Sequence, residues 1–249
     1  MIVGAALCAS PPLLHPALTG RAVVLPELRA ACADAVARLL RSDPGLVAVV
    51  GPAAATGDWD PSGRLDPAAF APGIACDGAG RSALPLSLGL GAMLLDEGGY
   101  RGPRRLIAVG TDEPASACAA LGAELATGAT RTALLVMGDG SARRSLKAPG
   151  HLDPRAEPFD AQVERAVRAG RFGALLDLDE ALARDLMVTG RPAWQVLAGA
   201  MPDGGAMPDG GARPDGGARP DGIEIAGAPV AEVLYRDDPF GVAYLVACL

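Results

Sequence analysis

Imidazoles are scarce in this sequence, and the side chains placed for acid–base, nucleophilic or metal chemistry are thinly spread. His15 and His151 are the only two histidines. Cys8 and Ser10 follow an apolar run that starts at Ile2, at the point where the carboxyl end of a strand would present them to a ligand. Asp139 and Ser141 stand in Gly138-Asp139-Gly140-Ser141, with Arg143 and Arg144 just beyond. An aspartate there can orient a ligand, and the arginines can hold a carboxylate or phosphate through paired N–H donors. Each residue also has a plainer reading. Asp139 caps the turn that follows it, the arginines are solvated, Ser10 bonds the loop backbone, and Cys8 packs in a core.

Combinations of these groups define what could be built. His15, Asp139 and His151 together have the two-histidine, one-carboxylate composition that holds non-heme Fe(II). Their spacing does not bring them together, and two loop histidines without a ligand role are the simpler alternative. A nucleophilic Ser10 or Cys8 needs an adjacent base; none is near in sequence, and the G-x-S-x-G elbow is absent. Gly138-x-Gly140 lacks the third glycine of a nucleotide fingerprint. Asp58, Asp60 and Asp66 do not follow the calcium-loop pattern, so they read as solvated loop carboxylates. Trp59 and Trp194 read as packing residues.

The elements that must position these groups alternate along the chain. Ile2–Cys8, Leu46–Val50, Leu106–Val109 and Ala133–Met137 are consecutive apolar runs, as expected of strands covered on both faces. Helices are predicted over Pro26–Arg41, Leu84–Leu95 and Pro114–Ala126, the last with Thr111 or Asp112 available as a cap. The first of them aligns Leu28, Cys32, Ala35, Val36 and Leu39 on one face. Beyond Ser145–Phe159, a loop with the composition of a lid, the pattern turns helical over Phe159–Ala169, Asp179–Met187 and Pro192–Ala200. Ala231–Arg236 and Val242–Cys248 then read as a hairpin. The expected fold is a three-layer α/β/α sandwich with a mostly parallel, mixed central sheet, formed by a single domain over residues 1–249.

Residues 201–222 interrupt this pattern with a hexapeptide repeat. Met201-Pro-Asp-Gly-Gly-Ala recurs from Met207, and variants start at Arg213 and Arg219. Such a segment buries too little apolar surface to offset its ordering entropy. It reads as a low-complexity loop inserted before the hairpin, without a role of its own.

Composition narrows the function classes. The net charge is −7, and Lys147 is the only lysine. Nucleic-acid binding requires clustered cations, so no nucleic-acid partner is expected. Five widely spaced cysteines suit neither a disulfide framework nor a zinc ribbon. The first residues are apolar but lack a basic leader, and Pro11-Pro12 interrupts them. No apolar run reaches the length of a membrane span. A cytoplasmic protein without membrane association is expected.

Several of these segments, taken in order, resemble the class III extradiol dioxygenase (LigB-like) superfamily. Cys8-Ala9-Ser10-Pro11-Pro12-Leu13-Leu14 is similar to the histidine-Pro-Pro loop after the first strand, with Ser10 at the histidine. Leu46-Val47-Ala48-Val49-Val50-Gly51-Pro52-Ala53 resembles the second strand and loop, with alanine where another histidine would follow. Val136-Met137-Gly138-Asp139-Gly140-Ser141-Ala142-Arg143 resembles the Gly-Asp-x-Ser-His signature, with Ala142 at the histidine. Leu84–Gly91 and Pro239–Val246 are similar to further family segments. The resemblance implies a LigB-like sandwich in which relatives hold Fe(II) by histidines and a carboxylate, with open positions for a catechol and O2. Because Ser10, Ala53 and Ala142 carry no imidazole, the expectation is a protein without a metal cofactor that binds a small molecule or a partner. Whether it is an enzyme stays open: the alternatives are an Fe(II) enzyme rebuilt on His15, Asp139 and His151, or a hydrolase using Ser10 or Cys8. Family precedent adds a homo-oligomer or a partner subunit.

Overall fold

The computed structural model describes residues 1–20, 22–71, 74, 82–201, 203 and 231–249. Nearly all of the hexapeptide repeat, and Cys76, lie outside the described residues. In chain order the first half comprises β1 (Ile2–Cys8), α1 (Pro16–Thr19), α2 (Pro26–Leu40) and β2 (Leu46–Ala53). Three short strands follow, β3 (Gly57–Trp59), β4 (Arg64–Leu65) and β5 (Ala83–Leu84), and then α3 (Leu86–Glu97). The second half contains β6 (Arg104–Gly110), α4 (Ala115–Thr127), β7 (Thr132–Met137), α5 (Ala156–Arg168), α6 (Glu180–Asp185) and α7 (Arg191–Ala200). It closes with β8 (Glu232–Asp237) and β9 (Tyr244–Cys248).

The central sheet has seven strands in the order β3-β6-β2-β7-β1-β9-β8. β6, β2, β7 and β1 are mutually parallel where they pair, whereas β3, β9 and β8 add antiparallel edges. Residues 133–137 show why the inner strands are apolar at every position. Leu134 and Val136 enter the core beneath α4, α5 and α7. Ala133, Leu135 and Met137 enter the core beneath α2 and α3. Side chains alternate across a strand, so a strand between two helical layers has no face left for water. The α2 face predicted from Leu28, Cys32, Ala35, Val36 and Leu39 is buried as expected.

Some local expectations are corrected. α4 receives no side-chain cap from Thr111 or Asp112; the Glu180 carboxylate of α6 accepts from the Ala115 N–H at 3.1 Å. A tertiary partner therefore supplies what the local sequence was expected to give. Asp58 and Trp59 belong to edge strand β3 and not to a loop. Asp58 is paired through both oxygens to the Arg105 guanidinium at 2.6 and 3.0 Å, which holds its carboxyl below the ordinary range. Trp59 remains exposed on that edge, whereas Trp194 is buried as a packing residue. α5 starts at Ala156, because the end of the preceding loop is anchored by the Asp153 N–H bond to the Arg143 carbonyl at 3.0 Å.

α4 and α7 cross with almost no side chain between them. A Cβ added at Gly199 would fall 2.1 Å from the Ala119 carbonyl oxygen, and one at Gly122 would fall 2.0 Å from that of Val196. Helix separation depends on the side chains at the contact, so these two glycines fix how closely α7 approaches α4. Gly199→Val is expected to cost about 2–3 kcal/mol by overpacking. Urea denaturation would measure it, and a change below about 0.5 kcal/mol would show that the crossing can dilate.

Candidate functional site

Chain direction sets the location of the site. The chain leaves β1 and β2 toward the face covered by α2 and α3, but leaves β7 toward the face covered by α5 and α7. β7 lies between β1 and β2. Its carboxyl end is therefore a topological switch point, where diverging loops open a crevice and open α/β sheets bind ligands. Ser10 and Asp139 meet there: the Ser10 N–H donates to Asp139 Oδ1 at 2.6 Å. This corrects the expectation that Asp139 caps its own turn, since its partner comes from the neighbouring strand's loop.

Asp139 is enclosed by protein mass but keeps part of its surface open. Burial raises its carboxyl to about 6, opposed by the Ser10 amide and hydroxyl. The same negative charge adds to burial in pushing the Tyr244 phenol up. The Asp139 backbone is also fixed, its N–H donating to Thr189 Oγ1 at 3.3 Å and its carbonyl accepting from Gly190 N–H at 2.9 Å. Gly138 permits this contact, because a Cβ there would lie 2.5 Å from the Gly190 Cα.

Residues 140–144 are tied to the hairpin and to α5. Ser141 is fully buried; its Oγ donates to Asp160 Oδ2 at 2.5 Å and its N–H to Asp160 Oδ1 at 2.9 Å. Burial raises the Asp160 carboxyl, while these bonds and Arg144 oppose the rise. Arg144 is nearly buried, reaching Asp238 at 2.9 Å and Asp160 at 3.8 Å and also pairing with Glu157. It is therefore neither solvated nor free to take an anion. Arg143 is half-buried, 3.9 Å from Asp153, and its Nε is buried without a hydrogen-bond partner. Neither arginine fits the solvated reading.

A cavity of about 380 Å³ opens beside Asp139. The ends of β6 and β7 provide Thr111, Asp112, Asp139 and Ala142, and α6 with its following turn provides Glu180, Arg184 and Met187. Val188 and Val242 add apolar wall. Arg191 sits at its edge, 2.8 Å from the Thr111 carbonyl, 3.0 Å from that of Glu113 and 3.3 Å from Glu180 Oε1. The volume lies in the range of small-molecule sites. Nothing in the local pattern around Glu180, Met187 or Arg191 marked them as site residues; only the packing of α6 and α7 against the strand ends brings them there.

The remaining candidates lie elsewhere. His15 Nδ1 accepts from the Ala17 N–H at 3.3 Å at the start of α1. Burial lowers this imidazole's pKa, opposed by Glu97 of α3, which places it on the α2–α3 side. His151 is exposed in the loop before α5 with a positive φ of 60°. Cys8 is buried, and contact with Cys32, then burial, push its thiol well up. Such a thiol is a poor nucleophile. The Ser10 amide and hydroxyl face the Asp139 carboxylate, so the group beside this hydroxyl is a carboxylate and not the imidazole of a serine hydrolase.

The donor set does not suit the Fe(II) that the resemblance implies. Ser10, Ala53 and Ala142 offer no imidazole, and Asp139 already accepts from Ser10. Among the described residues no group of three or more His, Cys, Asp or Glu side chains could hold a metal ion. His15, Asp139 and His151 are not brought together.

Two outcomes follow from this geometry. The folded chain holds the Asp139 proton more tightly than the unfolded chain, so the stability contributed by this group is full below about pH 4 and is lost as pH rises through about 6. Asp139→Asn is expected to gain about 1–3 kcal/mol near pH 7.5 and much less near pH 4. Denaturation at the two pH values checks this, and an equal effect at both would contradict it. Arg144→Met should cost about 2–4 kcal/mol, because it removes the nearer of the two guanidinium groups that offset the burial of Asp160 and breaks the pairs to Asp238 and Glu157. Urea unfolding of that variant reads the loss directly.

No family model and no curated protein matches this chain. Among solved structures, the crystal structure of the uncharacterized protein JW3007 from Escherichia coli K12 is similar, with a TM-score of 0.53 and 16% sequence identity. The match covers 99% of each chain. At that identity the likeness bears on the fold alone, an α/β arrangement around a mostly parallel mixed sheet.

Proposed function

We propose that this chain is a LigB-like protein that binds a small molecule at the carboxyl ends of its parallel strands and does not carry out iron-dependent ring cleavage. One observation supports this above the others. The Gly138–Ser141 segment keeps its place at the switch point, with Asp139 on a ligand-sized cavity, while the positions that would supply imidazoles hold Ser10, Ala53 and Ala142. On this reading the chain retains a scaffold that presents a ligand without the donors that would bind iron. Fold does not fix function, so the proposal rests on the cavity and the residues around it.

The test is to purify the chain without a histidine tag, load it anaerobically with Fe(II), and measure bound iron and opening of a catechol ring. The expected result is substoichiometric iron and no ring-opened product. Near-stoichiometric iron with turnover would overturn the proposal. Loss of that iron in both His15→Ala and His151→Ala would then establish the rebuilt site.

A further inference from the structure

The cavity beside Asp139 carries a charge that the protein does not neutralise. Three carboxylates border it, those of Asp112, Asp139 and Glu180, against the guanidinium groups of Arg184 and Arg191. Both cations are committed. Arg184 holds Asp112 at 3.0 Å. Arg191 holds Glu180 while donating to Gln195 at 2.9 Å and to two carbonyls. Asp139 alone has no cationic partner among the described residues; the only groups that favour its ionised form are the amide and hydroxyl of Ser10. A carboxylate desolvated without a counter-charge is costly, and a ligand cation would relieve that cost. The rest of the wall is aliphatic: Ala142, Ala183, Met187, Val188 and Val242.

We propose that the cavity takes a small organic cation, an alkylammonium whose charged end meets Asp139 and whose hydrocarbon body lies against Met187, Val188 and Val242. This deepens the proposed small-molecule site and rests on that reading. The ammonium would donate to the carboxylate in a charge-assisted hydrogen bond, which is short and strong where water is excluded. Selectivity follows from what the cavity lacks. A carboxylate ligand would meet Asp139 as a like charge with no free arginine to receive it. A neutral alcohol would leave the negative charge uncompensated.

Three isosteric probes separate these cases: cyclohexylmethylamine, cyclohexylmethanol and cyclohexanecarboxylate, titrated calorimetrically into the full chain. The amine is expected to bind at least about tenfold more tightly than the alcohol, with no detectable binding of the carboxylate, and Asp139→Asn should remove that preference. A pH series on the unaltered chain gives a second reading. Amine affinity should fall as pH drops through about 6 and Asp139 takes up its proton. Facing Asp139 are Ser10 from the β1 loop and the neutral Tyr244 phenol of β9, with Asp112, Glu180, Arg184 and Arg191 around the cavity. Absence of amine binding, or amine binding unchanged in Asp139→Asn, would overturn the cation proposal. Preference for the alcohol or carboxylate would also overturn it while leaving a binding cavity in place. Only iron-dependent ring opening would remove the underlying reading itself.

Discussion

Burial of the central strands on both faces is the constraint from which the rest of this structure follows. β7 is buried at all six of its positions, so none of its side chains can meet solvent through either helical layer. Polar groups can gather only where the strands end. There they must still satisfy one another, because an unpaired buried donor or acceptor costs about 1–3 kcal/mol. The hydrogen bond from the Ser10 N–H to Asp139, the two hydrogen bonds from Ser141 to Asp160 and the Arg144 ion pairs are the solutions found at the end of β7.

Those solutions differ in how completely charge is balanced. Asp160 is buried, but it has a hydroxyl, an amide and a guanidinium to offset its desolvation. Asp139 has two uncharged donors from one serine and a cavity on its open side. The two carboxylates stand on either side of Gly140, one serving to lock the loop and the other left open. This asymmetry separates an aspartate locked by its partners from one left facing the 380 Å³ cavity.

Glycine and small residues set the distances on which the site depends. Gly122 and Gly199 let α7 lie against α4, which carries Arg191 to the end of β6. Gly138 lets the turn before α7 touch the β7 loop, which fixes the Asp139 backbone. A side chain at Gly122 or Gly199 would push α4 and α7 apart, and one at Gly138 would push the turn before α7 off the β7 loop.

How much of this was legible in the sequence differs by element. The apolar runs at Ile2–Cys8 and Ala133–Met137, and the spacing of Leu28, Cys32, Ala35, Val36 and Leu39, determined strands and a helix face, because burial on one or two faces dictates residue type position by position. Gly138-Asp139-Gly140-Ser141 also marked the end of β7. What the sequence could not determine was pairing at a distance. That Ser10, not its own turn, satisfies Asp139, that Glu180 caps α4, that Arg144 is nearly buried among carboxylates, and that His15 and His151 stand apart all depend on strand order and chain direction. Tertiary structure decided these, since hydrogen bonds and ion pairs form between groups close in space, and only the folded sheet sets which residues those are.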